Sequence, residues 1–319
     1  MRFLLKWLGR FVGLLILVVG AIALFGPREE VNLDVAFEAD GFDVGVQAYF
    51  DKAEARYDDI IDGTEKRVIW AGDAETKTAV SVLYIHGFSA TSEEIRPVPD
   101  RLADALGANL VFTRLRGHGR SGAAMAEATA ADWMRDTLEA LAAARAVGDK
   151  VIVVSTSTGG TLVAAAALRE DAMQGVAGAI FVSPNFALNS PASVILTWPA
   201  VRWWGPIVAG AQRRFETLNE GHEKYWTNSY PTVALMPMAA LVKAVDALDL
   251  SAPKVPALFV ISDQDKVVSP TKNREVADEW GGASELLVLS MEAGDDPYSH
   301  VIAGDIRSCG QPERASTSM

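Results

Sequence analysis

The alternation of short apolar runs with helical segments constrains the fold of this chain most strongly. The apolar runs lie at residues 67–70, 79–85, 109–115, 151–154, 179–182, 256–261 and 285–289. Helical patterns separate several of them, at residues 98–106, 129–147, 158–168 and 271–280. Strands that alternate with helices indicate βαβ units, and continuously apolar strands indicate a sheet covered on both faces. The sequence therefore predicts an α/β fold with a mostly parallel sheet and helices on both faces.

The alternation stops between residues 185 and 254. This segment holds four of the eight tryptophans, together with several prolines, and it is too long for a simple crossover. We expect an inserted helical cap over the carboxyl edge of the sheet, where α/β sheets bind ligands. The alternative is an ordinary crossover helix with extra aromatic packing. The cap interpretation divides the core into residues 65–184 and 255–305.

The N-terminal residues 1–26 form a separate unit. Arg2, Lys6 and Arg10 precede an apolar run over residues 11–25, and such a pattern is typical of export or membrane insertion, with the basic end in the cytoplasm. An uncleaved anchor would leave the rest of the chain on the non-cytoplasmic side. The alternatives are a signal peptide cleaved near Ala23, which would release a secreted or periplasmic protein, and a buried core helix.

Two further segments flank the predicted core. Residues 27–64 are expected to form a polar connector and a peripheral helix from about Gly45 to Asp62. Residues 306–319 are expected to form a flexible tail, which contains Cys309, the single cysteine. One cysteine can form neither an intrachain disulfide nor a metal site of the cysteine type.

Composition excludes some functions. The formal net charge is −12, and no cluster of lysine and arginine is present, so the chain is a poor candidate for nucleic-acid binding. The four histidines are scattered, and the sequence contains neither a P-loop nor a dinucleotide fingerprint. We therefore predict no metal and no cofactor.

The strongest local signal is the segment VIVVSTSTGG at residues 151–160, a strand followed by a helix. A sharp strand-to-helix turn exposes a serine hydroxyl and directs the helix N-terminus towards it. The usual pattern is G-x-S-x-G, and here Ser155 and Gly159 flank Ser157. Ser157 is the predicted nucleophile because the second residue after it is glycine, whereas Ser155 lacks one. The alternative is a serine-rich helix cap without chemistry.

Two later loops supply the partners that a serine nucleophile requires. Enzymes with this turn carry Ser, then Asp or Glu, then His along the chain. Asp263 and Asp265 follow the strand at 256–261, and His300 follows the last strand. His300 is the predicted general base, and either aspartate could orient its ring. Taken singly, each loop is equally consistent with a solvated turn.

Stabilisation of an oxyanion needs two backbone donors. The loop after the strand at 79–85 and the turn after Ser157 occupy the usual positions, so we assign the amides of Phe88 and Thr158. His86 and His118 are expected to shape their loops rather than to react. His222, in the predicted cap, receives no role.

The chain resembles the α/β-hydrolase superfamily, within it the monoacylglycerol lipases, lysophospholipases and carboxylesterases with an inserted cap. The motifs that carry the resemblance are HGFSAT at 86–91, RGHGRSG at 116–122, STSTGG at 155–160, DQDKVVSP at 263–270 and SHVIAG at 299–304. The resemblance covers residues 65–305. It implies an eight-stranded, mostly parallel sheet, Asp265 as the acid and no cofactor.

These expectations lead to a predicted function. The chain should hydrolyse carboxylic esters, and the aromatic cap and N-terminal segment favour an apolar acyl chain, such as that of a lipid. A thioesterase, a peptidase or an acyltransferase would use the same triad. A non-catalytic, membrane-tethered binding protein is a further alternative, because Ser155 stands where glycine is usual.

Overall fold

The computed structural model describes residues 2–308. The predicted tail residues from Cys309 onward lie outside this range. The strands, in chain order, are β1 Arg67–Ile69, β2 Thr78–Ile85, β3 Asn109–Phe112, β4 Gly148–Thr156, β5 Val176–Val182, β6 Gln212–Arg214, β7 Ser229–Pro231, β8 Ala257–Ile261 and β9 Ser284–Val288. The helices are α1 Arg2–Phe25, α2 Val46–Glu54, α3 Val98–Leu106, α4 Gly122–Met125, α5 Ala130–Val147, α6 Thr158–Ala166, α7 Glu170–Met173, α8 Val201–Ala209, α9 Glu220–Tyr225, α10 Leu235–Asp246 and α11 Pro270–Glu279.

The central sheet confirms the predicted α/β class. Its strand order is β1-β3-β2-β4-β5-β8-β9, and only β1 pairs antiparallel with its neighbour. The described residues give this sheet seven strands, not the eight that the resemblance implied. Its seven strands correspond to the seven apolar runs of the sequence. Residues 27–66 supply no eighth strand, because that segment forms a 3₁₀ helix at Ala39–Val44 and then α2.

Side chains of the central strands bury alternately on the two faces of the sheet. Leu83 and Ile85 of β2 join one apolar cluster, with helices α5, α6 and α10. Val82 and Tyr84 join the other cluster, on the face that α3 covers. This alternation is the two-residue period of a β-strand. Because both faces are covered, the central strands contain uninterrupted apolar runs.

Local signals fix several helix boundaries. Helix α5 begins at the predicted capping box, in which the Thr129 side chain accepts from the Asp132 amide and the Asp132 carboxylate accepts from the Thr129 amide. Helix α3 ends at Gly107, whose φ of 59° lies in the left-handed region that favours glycine. The peripheral helix is shorter than expected, because α2 ends at Glu54.

The segment between β5 and β8 contains two different structures. Residues 191–234 form a 3₁₀ helix at Pro191–Thr197, the helices α8 and α9, and a two-stranded antiparallel sheet of β6 and β7. Helix α10 packs on α5 and α6, and its side chains Leu241 and Val245 are fully buried in the core. Helix α10, within the predicted insert of 185–254, thus contacts both the 3₁₀ helix at Pro191–Thr197 and the core helices.

Helix α1 stands apart from the sheet. Its segment Leu5–Phe25 is the one helix among the described residues that is long and apolar enough to cross a membrane, by length and composition. Twenty-one residues span about 32 Å, which matches a hydrocarbon core of about 30 Å. The fifteen-residue apolar run at 11–25, about 22 Å long, would be too short alone; residues from Leu5 onward extend it.

Candidate active site

Ser157 lies at the turn from β4 to α6, at the carboxyl edge of the sheet. Its φ of 51° and ψ of −116° are unusual for a residue with a side chain and mark a strained backbone. The Ser157 amide donates to the Val182 carbonyl at 3.1 Å, which holds the turn against β5. A side chain at Gly159 would overlap the backbone carbonyls of Ile85 and His86. Packing therefore requires glycine at position 159, two residues after the serine.

Ser155, the rival nucleophile, faces a different direction. Its side chain is fully buried in β4, and its hydroxyl donates to the Ile180 carbonyl at 3.2 Å. Ser155 does not line the cleft beside Ser157. The usual glycine is thus replaced by a serine whose hydroxyl bonds to the neighbouring strand.

The structure brings Ser157, His300 and Asp265 together. The distance from Ser157 Oγ to His300 Nε2 is 3.0 Å, and the distance from His300 Nδ1 to Asp265 Oδ2 is 2.8 Å. The three side chains are buried, with exposed fractions of 6%, 9% and 4% in the order Ser157, His300 and Asp265. This geometry lets the imidazole accept the hydroxyl proton while the carboxylate holds the proton on Nδ1.

The environment of His300 favours its protonated form. Burial lowers the pKa of His300, but the charge of Asp265 and the hydrogen bond to it outweigh burial, so that the pKa lies above its ordinary value. Asp265 is held in place by two backbone amides, those of Val267 and Val268, which donate to Oδ1 at 2.7 and 2.9 Å. The carboxylate therefore has a fixed orientation towards the imidazole.

Asp263, the runner-up acid, points into solvent. Its carboxylate pairs with the Arg274 guanidinium at 2.7 Å, and more than half of its side chain is exposed. The geometry thus distinguishes the two aspartates that the spacing left open.

The amides of Phe88 and Thr158 lie on the two loops predicted to bind an oxyanion. Thr158 is the first residue of α6, so its amide has no acceptor within the helix. In the described part of the chain, no hydrogen bond uses the Phe88 amide. Gly87, before it, would carry a Cβ only 3.0 Å from the Ser157 Cβ. The absence of a side chain at residue 87 lets this loop pass close to the nucleophile.

A cleft of about 970 Å³ opens above these residues. Its floor contains Ser157, Thr158 and His300, and its walls come largely from residues 188–238. Most of the wall side chains are apolar: Phe88, Leu188, Ile195, Leu196, Val201, Trp204, Val208, Phe215, Leu218, Trp226, Leu235, Met236 and Met238. A cleft of this size and character fits a small molecule with a large apolar part.

Comparisons with known proteins agree with this geometry. The family model described as "Serine aminopeptidase, S33" matches residues 76–292, about two thirds of the chain. The chain belongs to this α/β-hydrolase family. The predicted class, a serine hydrolase of the esterase and lipase type, is confirmed by this membership together with the lipase relative described next.

A thermostable monoacylglycerol lipase of Bacillus sp. (strain H-257) is 28% identical over 197 residues, which are 60% of this chain and 72% of that protein. Among solved structures, one from the report on the metagenome-derived lipolytic enzymes LipS and LipT matches with a TM-score of 0.63 and 22% identity, covering 81% of this chain and 96% of that one. The monoglyceride lipase of Saccharomyces cerevisiae matches with a TM-score of 0.57 and 15% identity, covering 81% and 90%. These two structures support the fold.

Glu94 is a residue of the hydrolase site that the sequence did not reveal. It is buried beside Ser157, and its Oε2 accepts from the Gly87 amide at 2.7 Å and from the Tyr84 hydroxyl at 2.9 Å. Burial raises the pKa of Glu94, and the Gly87 amide only partly offsets this effect. A glutamate soon after a turn is typical of a solvated surface, so only its proximity to HGFS hinted at this position.

Asp296 is the second acid that the sequence left without a role. Its Oδ2 accepts from the amides of His300 and Val301 at 3.0 and 2.9 Å. Burial raises the pKa of Asp296, but the Arg307 charge and the backbone donors outweigh burial, so the pKa lies below its ordinary value. An ionised Asp296 therefore fixes the loop that carries the imidazole.

The other three histidines contact protein groups. His86 is fully buried, and its Nε2 accepts from the Leu115 amide at 3.1 Å. The rings of His86 and His118 lie 5.0 Å apart, and burial lowers the pKa of His118 to about 4. His222 lines the cleft, with its Nε2 2.9 Å from the Arg307 guanidinium, and burial lowers the pKa of His222 to about 4. These histidines are neutral at pH 7.

A buried ion cluster supports the loop at 116–122. The Lys66 ammonium bonds to Asp136 at 3.0 Å and also contacts Glu139. The other oxygen of Asp136 accepts from the Arg116 amide at 2.6 Å. This cluster links the edge strand, helix α5 and the loop beside the site.

Proposed function

We propose that the chain is an esterase that hydrolyses carboxylic esters with apolar acyl chains, through Ser157, His300 and Asp265. One observation carries the proposal: a hydrogen-bonded Ser–His–Asp chain, with bonds of 3.0 and 2.8 Å, forms the floor of a mainly apolar cleft. The strained backbone at Ser157 supports it, because strain of this kind collects at functional sites.

In the first half-reaction, Ser157 Oγ attacks the ester carbonyl carbon. His300 Nε2 takes the hydroxyl proton, and Asp265 stabilises the imidazolium that results. The carbonyl oxygen becomes negative and is bound by the amides of Phe88 and Thr158, aided by the positive end of α6. When the tetrahedral intermediate collapses, His300 returns the proton to the alcohol, which leaves.

The second half-reaction regenerates the enzyme. A water molecule gives a proton to His300 and attacks the acyl–Ser157 carbonyl, and the same two amides bind the second oxyanion. The acid then leaves, and the proton returns to Ser157. Neither half-reaction requires a metal or a cofactor, as is usual for a serine nucleophile with its own general base.

The walls of the cleft support an apolar acyl chain. Their side chains are chiefly aliphatic and aromatic, and binding of a hydrocarbon chain between them is favourable because it removes apolar surface from water. The similarity to a monoacylglycerol lipase of Bacillus favours a lipid ester of glycerol or of another alcohol.

We further propose that α1 remains attached and anchors the enzyme. Its apolar length suits a bilayer, and Lys6 and Arg10 lie near its N-terminal end, where their long side chains can extend to the headgroups. Their charge favours a cytoplasmic N-terminus, which would leave the hydrolase domain on the other side. Cleavage near Ala23 would instead release the domain. The mass of the mature N-terminal peptide distinguishes the two.

Hydrolysis of a panel of p-nitrophenyl esters from acetate to palmitate tests the proposed reaction. We expect kcat/KM to rise with acyl length up to medium or long chains and to vanish in a Ser157→Ala variant. The matched control is Ser155→Ala, which should retain activity. Activity confined to acetate would refute the apolar acyl chain.

The same panel should include an acyl thioester and an aminoacyl anilide, because the family is described as serine aminopeptidases. A higher kcat/KM on the anilide than on the esters would indicate a peptidase instead of an esterase. Adding glycerol to the ester assay would reveal acyl transfer as a second product.

A further inference from the structure

Large apolar side chains of the insert are exposed to solvent on one side. They lie in the 3₁₀ helix at Pro191–Thr197, in α8 and in the turn between them, and we call them the cap patch: Val194, Trp198, Trp203, Ile207 and Val208. Ile207 is 84% exposed and Trp203 is 63% exposed. Several large exposed apolar side chains on neighbouring elements of this kind often mark an interaction site.

Helix α8 has two apolar faces with different surroundings. Val201, Trp204 and Gly205 line the cleft. Trp203 and Ile207, four residues apart and so on one side of the helix, do not line it and project outward. Val208 is both exposed and part of the cleft wall, and it therefore lies at the rim. The cap patch thus borders the opening through which a substrate enters.

The end of α1 is attached to this same element. The Pro27 carbonyl accepts from the Ala200 amide, and Arg28 donates to the Thr197 carbonyl at 3.3 Å. Glu29 pairs with Arg202 of α8 at 2.6 Å. A Cβ on Gly26 would lie 3.1 Å from the Pro199 side chain. The residue after the apolar helix therefore touches the residues that begin α8.

These contacts fix the depth of α8 relative to a membrane. If α1 spans a bilayer, Phe25 lies at the boundary between hydrocarbon and headgroups. Helix α8 begins directly after Ala200, whose amide donates to the carbonyl of Pro27, two residues beyond Phe25. Tryptophan is enriched at this depth, and a helix with an exposed apolar face lies in the plane of the interface. Trp198, Trp203 and Ile207 have the chemistry that this position favours.

We propose that the cap patch lies in the interface of the bilayer that α1 spans, so that the cleft receives its apolar ester directly from the lipid. The partner is a lipid surface, and the contacts of residues 26–29 with residues 197–202 set its orientation. This inference depends on the proposed anchoring by α1 and on the proposed esterase reaction.

A fluorescent probe tests the placement of the cap patch. In full-length protein carrying Cys309→Ser, a single cysteine replaces Ile207 and carries an environment-sensitive nitrobenzoxadiazole. The matched control is Leu106→Cys. Helix α3 runs from the carboxyl edge of the sheet, where β2 ends, back to the amino edge, where β3 begins. Exposed Leu106, at the end of α3, therefore lies at the edge opposite the cleft. The proteins are reconstituted in phosphatidylcholine vesicles.

We expect nitroxide-labelled lipid to quench the probe at residue 207 and not at residue 106. Equal, weak quenching at both positions would overturn the proposal. Flotation with the vesicles is measured in the same samples. Protein that does not float refutes the anchor, and with it the proposed placement, whereas p-nitrophenyl butyrate hydrolysis in solution tests the esterase reaction independently.

Activity on two forms of substrate provides the second test. The double variant Trp203→Glu, Ile207→Glu changes side chains outside the cleft, and Leu106→Glu is its control. We expect unchanged kcat/KM on soluble p-nitrophenyl butyrate and a loss of about tenfold on monoacylglycerol held in vesicles, because acidic side chains oppose insertion in the interface. Since α1 attaches all variants, a loss reports the cap patch. Equal rates on vesicles, or an equal loss on both substrates, would contradict the proposal.

Discussion

Replacement of Asp265 by asparagine tests how the site holds its general base. Asp265 accepts two backbone amides at Oδ1 and the His300 ring at Oδ2. In Asp265→Asn, the amide oxygen should stay with the two buried N–H donors, because leaving them unpaired is costly. The NH₂ group then faces His300 Nδ1. The ring must accept there and carry its proton on Nε2, towards Ser157.

The magnitude follows from this tautomer. A ring with its proton on Nε2 cannot accept from the Ser157 hydroxyl, so general-base catalysis is lost while the oxyanion donors remain. The same change in another Ser–His–Asp enzyme lowers kcat by about 10⁴-fold, which corresponds to about 5.4 kcal/mol in activation free energy. KM should change little, because the walls of the cleft are untouched.

The assay is p-nitrophenyl butyrate hydrolysis, with Asp263→Asn as the matched control. Asp263 is exposed and pairs with Arg274, so its replacement should leave kcat within about twofold. Thermal melting of both variants checks that they fold. A kcat for Asp265→Asn above about a tenth of the wild type, or an equal loss in Asp263→Asn, would refute the assignment.

The pH profile gives an independent check. His300 must be neutral to accept a proton, so activity falls as the pH drops through the pKa of His300, which lies above its ordinary value. Loss of the Asp265 charge leaves the effect of burial less opposed, so the pKa of His300 falls. The acid limb of the residual activity of Asp265→Asn should therefore move to lower pH. An acid limb that does not move would contradict the role of the carboxylate.

Three other substitutions have defined outcomes. Glu94→Ala leaves the buried Gly87 amide without its acceptor and should cost about 1–3 kcal/mol in urea unfolding and lower kcat, because Gly87 precedes the proposed oxyanion donor Phe88. Glu94→Gln keeps an acceptor and should retain most of the stability and of kcat; equal losses in both variants would show that Glu94 does not hold this loop through the Gly87 amide. Ser155→Gly removes one hydroxyl bond to the neighbouring strand and should cost about 1 kcal/mol with activity preserved. Lys66→Met leaves buried Glu139 and partly buried Asp136 without their counter-charge and should cost about 3–5 kcal/mol in urea unfolding, and a cost near zero would contradict the ion cluster.

The sequence predicted the sheet well because the central strands contain continuous apolar runs, such as residues 82–85 and 151–154. Ser157 and His300 were identifiable for a similar reason, since a strand-to-helix turn and a single downstream histidine leave few candidates. The eighth strand came from the resemblance alone, and no apolar run supported it. The end of the insert is harder to predict, because α10 is as apolar as the segment before it and contacts both the 3₁₀ helix at Pro191–Thr197 and the core helix α6.

Long-range contacts account for what the sequence did not reveal. Asp263 and Asp265 lie in the same loop after β8, and only the loop geometry turns Asp265 to His300 and Asp263 to Arg274. Glu94 is buried beside Ser157 and accepts a hydrogen bond from the amide of Gly87, seven residues before it. No local pattern distinguishes such a glutamate from a surface residue.

Mass spectrometry after reaction with a fluorophosphonate tests the nucleophile most directly. We predict one phosphonate adduct per chain, on Ser157, in the wild type and in Ser155→Ala, and none in Ser157→Ala. Asp265→Asn should react much more slowly at the same serine. An adduct on Ser155, or a wild-type protein that melts cooperatively but remains unlabelled, would contradict the account.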